Sequence, residues 1–97
     1  MSDELSEIAP PQRQPLSDAA FHAALAAAIP HLRAFARTLC GNRDRADDLA
    51  QETLMKAWAA RDRYAAGTSL RAWTFTILRH LYVGQLRRER FARVSAR

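Results

Sequence analysis

The chain has 97 residues, 48% of them apolar, and a net charge of +5. That is room for one small domain with a core, and it excludes a largely disordered chain. A single cysteine excludes an intrachain disulfide; with no signal peptide and no apolar run long enough to span a bilayer, the chain reads as cytosolic, with no membrane partner.

Ala, Leu and Arg dominate, while Val, Ile, Gly and Pro are few. That bias favours helices over strands, so the expected fold class is all-α. The charge is uneven. Residues 1–60 carry a net of −2 and residues 61–97 a net of +7. A half this basic points to a polyanion, nucleic acid before an anionic membrane surface, with a solvated Arg-rich helix as the plain alternative.

Residues 1–16 hold Pro10, Pro11 and Pro15 among polar residues and read as a flexible arm. Ser17-Asp18 then looks like a helix start, a capping hydroxyl followed by an acid near the positive helix end. Phe21, Leu25, Ile29, Leu32, Phe35, Ala36 and Leu39 follow at spacings of three or four and predict an apolar stripe. Pro30 interrupts it and is expected to kink or split the helix, since it lacks an N–H and crowds the preceding turn. Gly41 is a natural helix stop.

Asn42 or Asp44 can cap a second helix. Ala46, Leu49, Ala50, Thr53, Leu54, Ala57 and Trp58 form its inward stripe. Asp44, Asp48 and Glu52 repeat every four residues, with Asp47 and Gln51 beside them. Acid near a helix N-terminus is favourable, yet Glu52 lies two turns in, beyond that effect. Like charges four apart cost about 0.2–0.5 kcal/mol per pair. A face tolerating this repulsion suits a basic partner; a merely solvated face is the alternative.

Residues 61–69, RDRYAAGTS, break the helical pattern, with Gly67 supplying backbone freedom and Thr68 or Ser69 a cap. Leu70, Trp73, Ile77 and Leu81, with Leu78 beside them, make a third stripe on a helix expected to run to about Phe91, leaving 92–97 as a basic tail. Tyr64, Phe75, His80 and Tyr82 sit among the arginines. Rings stack on unpaired bases and guanidinium groups contact phosphates, so the cluster fits a single strand. Taken singly, each ring more often packs in a core. His22, His31, His80 and Cys40 show no metal-ligand spacing. No phosphate loop or nucleophile–base pattern is readable, so no enzyme activity and no cofactor are expected.

Three motifs in order carry a family resemblance over residues 17–91. DLAQETLMKAW resembles the core-polymerase-binding helix of region 2 of the sigma-70 family. LRAWTFTILRHLYVGQLRR is similar to its promoter −10 helix. IPHLRAFARTLCGNRDRADDLAQETLMKAW looks like the general-stress-response, EcfG-like subgroup of extracytoplasmic-function (ECF) factors. The resemblance implies a compact region 2 domain of three to four helices. It also implies docking on the coiled coil of the largest subunit of core RNA polymerase through Asp48, Gln51 and Glu52, with Asp47, Leu54 and Trp58 beside them. It further implies capture of a flipped base of the non-template −10 strand between the loop and the third helix. Tyr64 would form a wall there, Thr68 and Ser69 would bond base edges, and Arg71, Arg79, Arg87 and Arg88 would hold phosphates, with Trp73 near the helix start.

Position 80 departs from the family pattern: His80 stands where Asn is usual. Imidazole donates and accepts in one tautomer at a time, which leaves the base preference open. The family's second domain, which reads the −35 element, is absent up to residue 97, so a fragment is expected. An anti-sigma partner, displaced by a sigma-like response regulator, is also implied. The alternatives are a sigma-like mimic that binds only an anti-sigma factor, a dimeric duplex reader, and a salt-sensitive membrane-surface binder.

Overall fold

A computed structural model describes residues 16–95. The expected arm lies almost entirely outside these residues, as do residues 96–97 of the expected tail. Three helices follow one another: α1 over Asp18–Cys40, α2 over Arg43–Ala59 and α3 over Leu70–Ser95, with a single 3-10 turn at Arg61–Arg63 between α2 and α3. No strand occurs among the described residues.

Local chemistry fixes the ends. Ser17 Oγ accepts the Ala20 N–H at 3.1 Å and starts α1. Gly41, at φ 67°, stops it and donates its N–H to the Arg37 carbonyl at 2.9 Å; that left-handed conformation is cheap for glycine alone. Of the two candidate caps for α2, Asn42 serves, its Oδ1 accepting the Arg45 N–H at 3.0 Å. Of the two for α3, Ser69 serves, its Oγ accepting the Ala72 N–H at 3.1 Å. α3 runs past Phe91 to Ser95.

Of the two outcomes expected at Pro30, a kink or a split, the split does not occur: α1 is one helix through it. Its ring is exposed, and so is Ala26, whose carbonyl loses its donor and can be hydrated. A proline inside a helix costs about 3 kcal/mol, and burial of Leu25, Ala28, Leu32 and Ala36 on both sides of it offsets that.

The three helices pack pairwise around two connected clusters. Leu32, Ala36, Ala46, Leu49, Ala50 and Leu78 form the larger, with Phe35 stacked on Phe75 at 4.6 Å and 16° at its edge. Alanine at so many buried positions lets the backbones approach closely. Phe21, Leu25 and Ala57 form the smaller cluster, with Tyr64, Leu70, Trp73 and Ile77 packed on it. Two threonines lie at the centre, fully buried. Thr53 donates to the Leu49 carbonyl at 2.8 Å, and Thr74 to those of Leu70 and Arg71 at 3.0 and 2.9 Å. Each hydroxyl is satisfied by its own helix, so polar atoms enter the core without an orphan donor. Tyr82 on α3 donates to the Leu39 carbonyl at 3.0 Å and so satisfies one of the open carbonyls at the end of α1.

Candidate interaction faces

Of the acidic residues of α2, Asp47 lines the groove between α1 and α2, and the others lie on the outer surface of the helix. Asp44, Asp48, Gln51 and Met55 recur every three or four residues and are all exposed, so they form one outer ridge. Leu54 and Trp58 lie on the side of this ridge facing α1. There they join His22, Leu25, Ala26, Ile29, Gln51 and Met55 around an open apolar groove of about 420 Å³. Its floor continues past Ile29 and Leu54 to Arg33 and Asp47. Glu52 is half-buried on the opposite flank of the ridge.

Charge on this face is uncompensated. Among the described residues, Asp44, Asp47, Asp48 and Glu52 have no ion-pair partner; the ion pairs are Arg45–Glu89 and Arg61–Asp18. Asp47 Oδ1 is buried without a hydrogen-bond partner. A buried acceptor left open costs about 1–3 kcal/mol. The arrangement can take a basic, partly apolar surface: carboxylates and an amide on the ridge, an aromatic and a thioether beside them.

The second face starts at the loop. Tyr64 packs its ring 5.8 Å from Phe21 and 5.3 Å from Trp73, and its hydroxyl donates to the Thr68 carbonyl. Thr68 Oγ1 donates to the Ala65 carbonyl at 2.7 Å, which leaves its lone pairs free. Ser69 Oγ accepts the Ala72 N–H, which leaves its proton free. One acceptor and one donor thus stand side by side on an exposed loop next to an aromatic wall. Trp73 is half-buried in the aromatic cluster, 6.0 Å from Phe21, and forms the floor beneath Tyr64 rather than a free platform.

The arginines divide. Arg79, His80 and Arg87 are exposed on one side of α3, with His80 and Arg87 two turns apart, and none has an intrachain partner among the described residues. Arg88 lies round the helix, its Nη1 3.6 Å from where a Cβ on Gly84 would stand. Arg71 turns to α1 instead, with Nη2 2.8 Å from His31 Nε2. A guanidinium only donates, so His31 Nε2 is the acceptor in this contact. Glu89, an acid on the basic helix, is taken up by Arg45 of α2, so the exposed side of α3 stays basic.

Several residues of these faces escaped the sequence reading. Met55, 68% exposed, sits four residues after Gln51, and its ridge register was readable from helical period. His22, edge-on to Trp58 at 6.3 Å, required the packing of α1 on α2. Arg61, with its guanidinium carbon 4.2 Å from the Trp58 ring centroid, required the path of the loop. No group of His, Cys, Asp or Glu among the described residues is arranged to hold a metal. No helix among them is long and apolar enough to cross a membrane.

Comparison with known proteins identifies the family. The sigma-70 region 2 family matches residues 25–92. The ECF RNA polymerase sigma factor EcfG of Rhodopseudomonas palustris is 56% identical over 64 residues, covering 66% of this chain and 35% of that protein. The chain therefore spans about a third of the length of this curated relative. The sigma factor RpoE from Bartonella quintana, in its co-crystal structure with the anti-sigma factor NepR, superposes with a TM-score of 0.68 at 48% identity, over 71% of this chain and 43% of that one. With the family matched over residues 25–92, most of the chain, this chain belongs to the sigma-70 region 2 family.

Proposed function

We propose that the chain is the region 2 domain of an ECF sigma factor that binds core RNA polymerase and captures the promoter −10 element. In this reading Asp48, Gln51 and Glu52 pair with basic groups on the coiled coil of the largest polymerase subunit, Leu54 and Trp58 supply the apolar contact, and Asp47 receives a donor at the groove floor. Tyr64 walls a pocket for one flipped base of the non-template strand, Thr68 and Ser69 bond its edge, and Arg79, Arg87 and Arg88 hold phosphates. Extruding the base costs a few kcal/mol, which stacking and edge bonds offset. The polymerase performs the chemistry; this chain is not an enzyme and acts in the cytoplasm. Likeness to a sigma factor crystallised with the anti-sigma factor NepR supports control by an anti-sigma factor, for which the exposed α1–α2 groove is the proposed seat; a role in a stress response is part of the same proposal.

The observation that carries this reading is the pairing of opposite faces in one small domain. An acidic ridge without ion-pair partners flanks an apolar groove on α1–α2, while a basic side of α3 adjoins an aromatic loop. The test is binding of the chain to bacterial core RNA polymerase, with Asp48→Arg/Glu52→Arg as comparison. The reversal is expected to weaken binding at least about tenfold, roughly 1.4 kcal/mol, with the thermal midpoint unchanged. A folded chain that binds an anti-sigma factor but no polymerase would make it a sigma-like mimic instead.

A further inference from the structure

We infer that Arg61 is a positioning residue that couples Trp58, on the proposed polymerase face, to the loop 61–69 that carries the proposed base-holding groups; the inference rests on the function proposed above. One guanidinium reaches two helices. Its Nε donates to Asp18 Oδ1 in the first turn of α1 at 3.0 Å, and its Nη1 donates to the Trp58 carbonyl at 2.9 Å. The same group lies 4.2 Å over the Trp58 ring. No residue of the 3-10 turn Arg61–Arg63 is buried, so packing does little to hold the start of the loop. Its other anchor is Tyr64, lodged on Phe21 and Trp73 and closed onto the Thr68 carbonyl. The loop thus hangs from two points, and Arg61 is the one that touches the polymerase face.

This clasp is built to respond to a partner. It borders an open hollow of about 510 Å³ lined by Leu16, Asp18, Phe21, Ala59 and Asp62, so the guanidinium has room to leave. The side chains of Arg61 and Asp18 are 36% and 69% exposed, and an ion pair in such contact with water holds weakly. A cation stacked on an aromatic ring gains when water is excluded. A surface that covers Trp58 therefore tightens the Arg61 contact and, through it, the start of the loop. Linkage makes the effect mutual: a strand that needs the ordered loop raises affinity for the polymerase by the same factor.

Amide hydrogen exchange on the loop, in the free chain and in its complex with core RNA polymerase, tests this. The reporters are the Tyr64 N–H, bonded to the Arg61 carbonyl, and the Thr68 N–H, bonded to the Ala65 carbonyl, each at 3.2 Å. Polymerase is expected to slow both at least about fivefold in the unaltered chain, and less than about twofold in Arg61→Met. Arg61→Lys is expected to fall between, because it keeps the Asp18 pair but loses the fork that serves two partners at once. Asp18→Asn, which weakens the ion pair to Arg61 but leaves Arg61, Trp58 and the rest of the loop in place, should also reduce the slowing and remains informative if Arg61→Met folds poorly. A purely structural role would change free and bound rates alike and preserve their ratio, which would overturn the inference. Equal slowing in Arg61→Met would do the same, since polymerase would then shield the loop directly. An unaltered chain that fails to bind polymerase would overturn the proposed function, and the inference with it; unaltered binding with an unresponsive loop would overturn the inference alone.

Discussion

Gly41 and Gly84 show how one residue type does two jobs. Gly41 holds φ 67° with nothing within 4 Å of where a Cβ would stand. Gly41→Ala therefore meets no clash, and its cost is purely conformational, an expected loss of about 1 kcal/mol. Gly84 lies inside α3, where a Cβ would meet Arg88 Nη1 at 3.6 Å, ordinary contact. Gly84→Ala is expected to raise stability by about 0.5–1 kcal/mol. Urea denaturation of the pair reads both signs; a stabilising Gly41→Ala would refute the capping account. Cys40 follows from its position one residue earlier. Burial pushes its thiol above the usual range, and Arg45 partly opposes this. The folded state thus holds the proton more tightly than the unfolded chain. The resulting stability is fully present below the ordinary thiol pKa and lost as pH rises through the raised one. Alkylation of Cys40 at neutral pH is expected to be slower than that of an unfolded peptide, and equal rates would contradict this.

At the scale of helices, the division of α3 into an inward and an outward side decides what His80 can do. His80 is exposed, shares its side with Arg79 and Arg87, and has no intrachain partner among the described residues. His80→Ala is thus expected to leave the thermal midpoint within about 0.5 kcal/mol equivalent, as for surface sites generally. It should change base preference at one −10 position when polymerase carrying the chain is offered single strands differing at that position. A uniform loss at every base would make it a phosphate-side residue. The helices themselves were legible because caps and period are local: Ser17, Gly41 and Asn42 each act within four residues. Whether Pro30 would split α1 was not legible locally, because burial of Leu25 and Leu32 on either side of it holds the helix together. The third stripe was read slightly off. Leu70, Trp73, Ile77 and Leu81 are only half-buried, while Leu78 and Thr74 form the centre. Thr74 hid because its hydroxyl is satisfied by its own helix, a bond that sequence does not display. The acidic ridge was readable from spacing, whereas the groove beside it needed α1 to be laid against α2. The resemblance implies Arg71 as a phosphate contact; that its guanidinium also lies against His31 of α1 is visible only in the fold.

In the molecule as a whole, the two faces share a single support. Phe21, 2% exposed near the start of α1, touches Trp58 of the acidic face at 6.1 Å, Tyr64 of the loop at 5.8 Å and Trp73 of α3 at 6.0 Å. Edge-on and tilted rings at these separations attract beyond the area they bury. Removing the ring should therefore loosen all three helices at one end of the bundle while leaving the Leu32–Leu49–Leu78 cluster packed. Phe21→Ala is expected to cost about 3–5 kcal/mol, a large share of the stability of so small a domain. Phe21→Leu fills most of the space without the ring edges and is the more discriminating variant. It is expected to keep the helical far-UV signal, lose near-UV intensity from Trp58 and Trp73, and weaken polymerase binding and −10 strand binding together. Leu78→Ala, in the other cluster, serves as the control, a buried leucine whose loss costs about 2–5 kcal/mol but touches neither Trp58 nor Tyr64. If Phe21→Leu weakened only one of the two activities, the faces would be supported independently and the aromatic cluster would be ordinary core. Joint loss, at a stability cost smaller than that of Leu78→Ala, would mean that one buried ring sets the geometry of both.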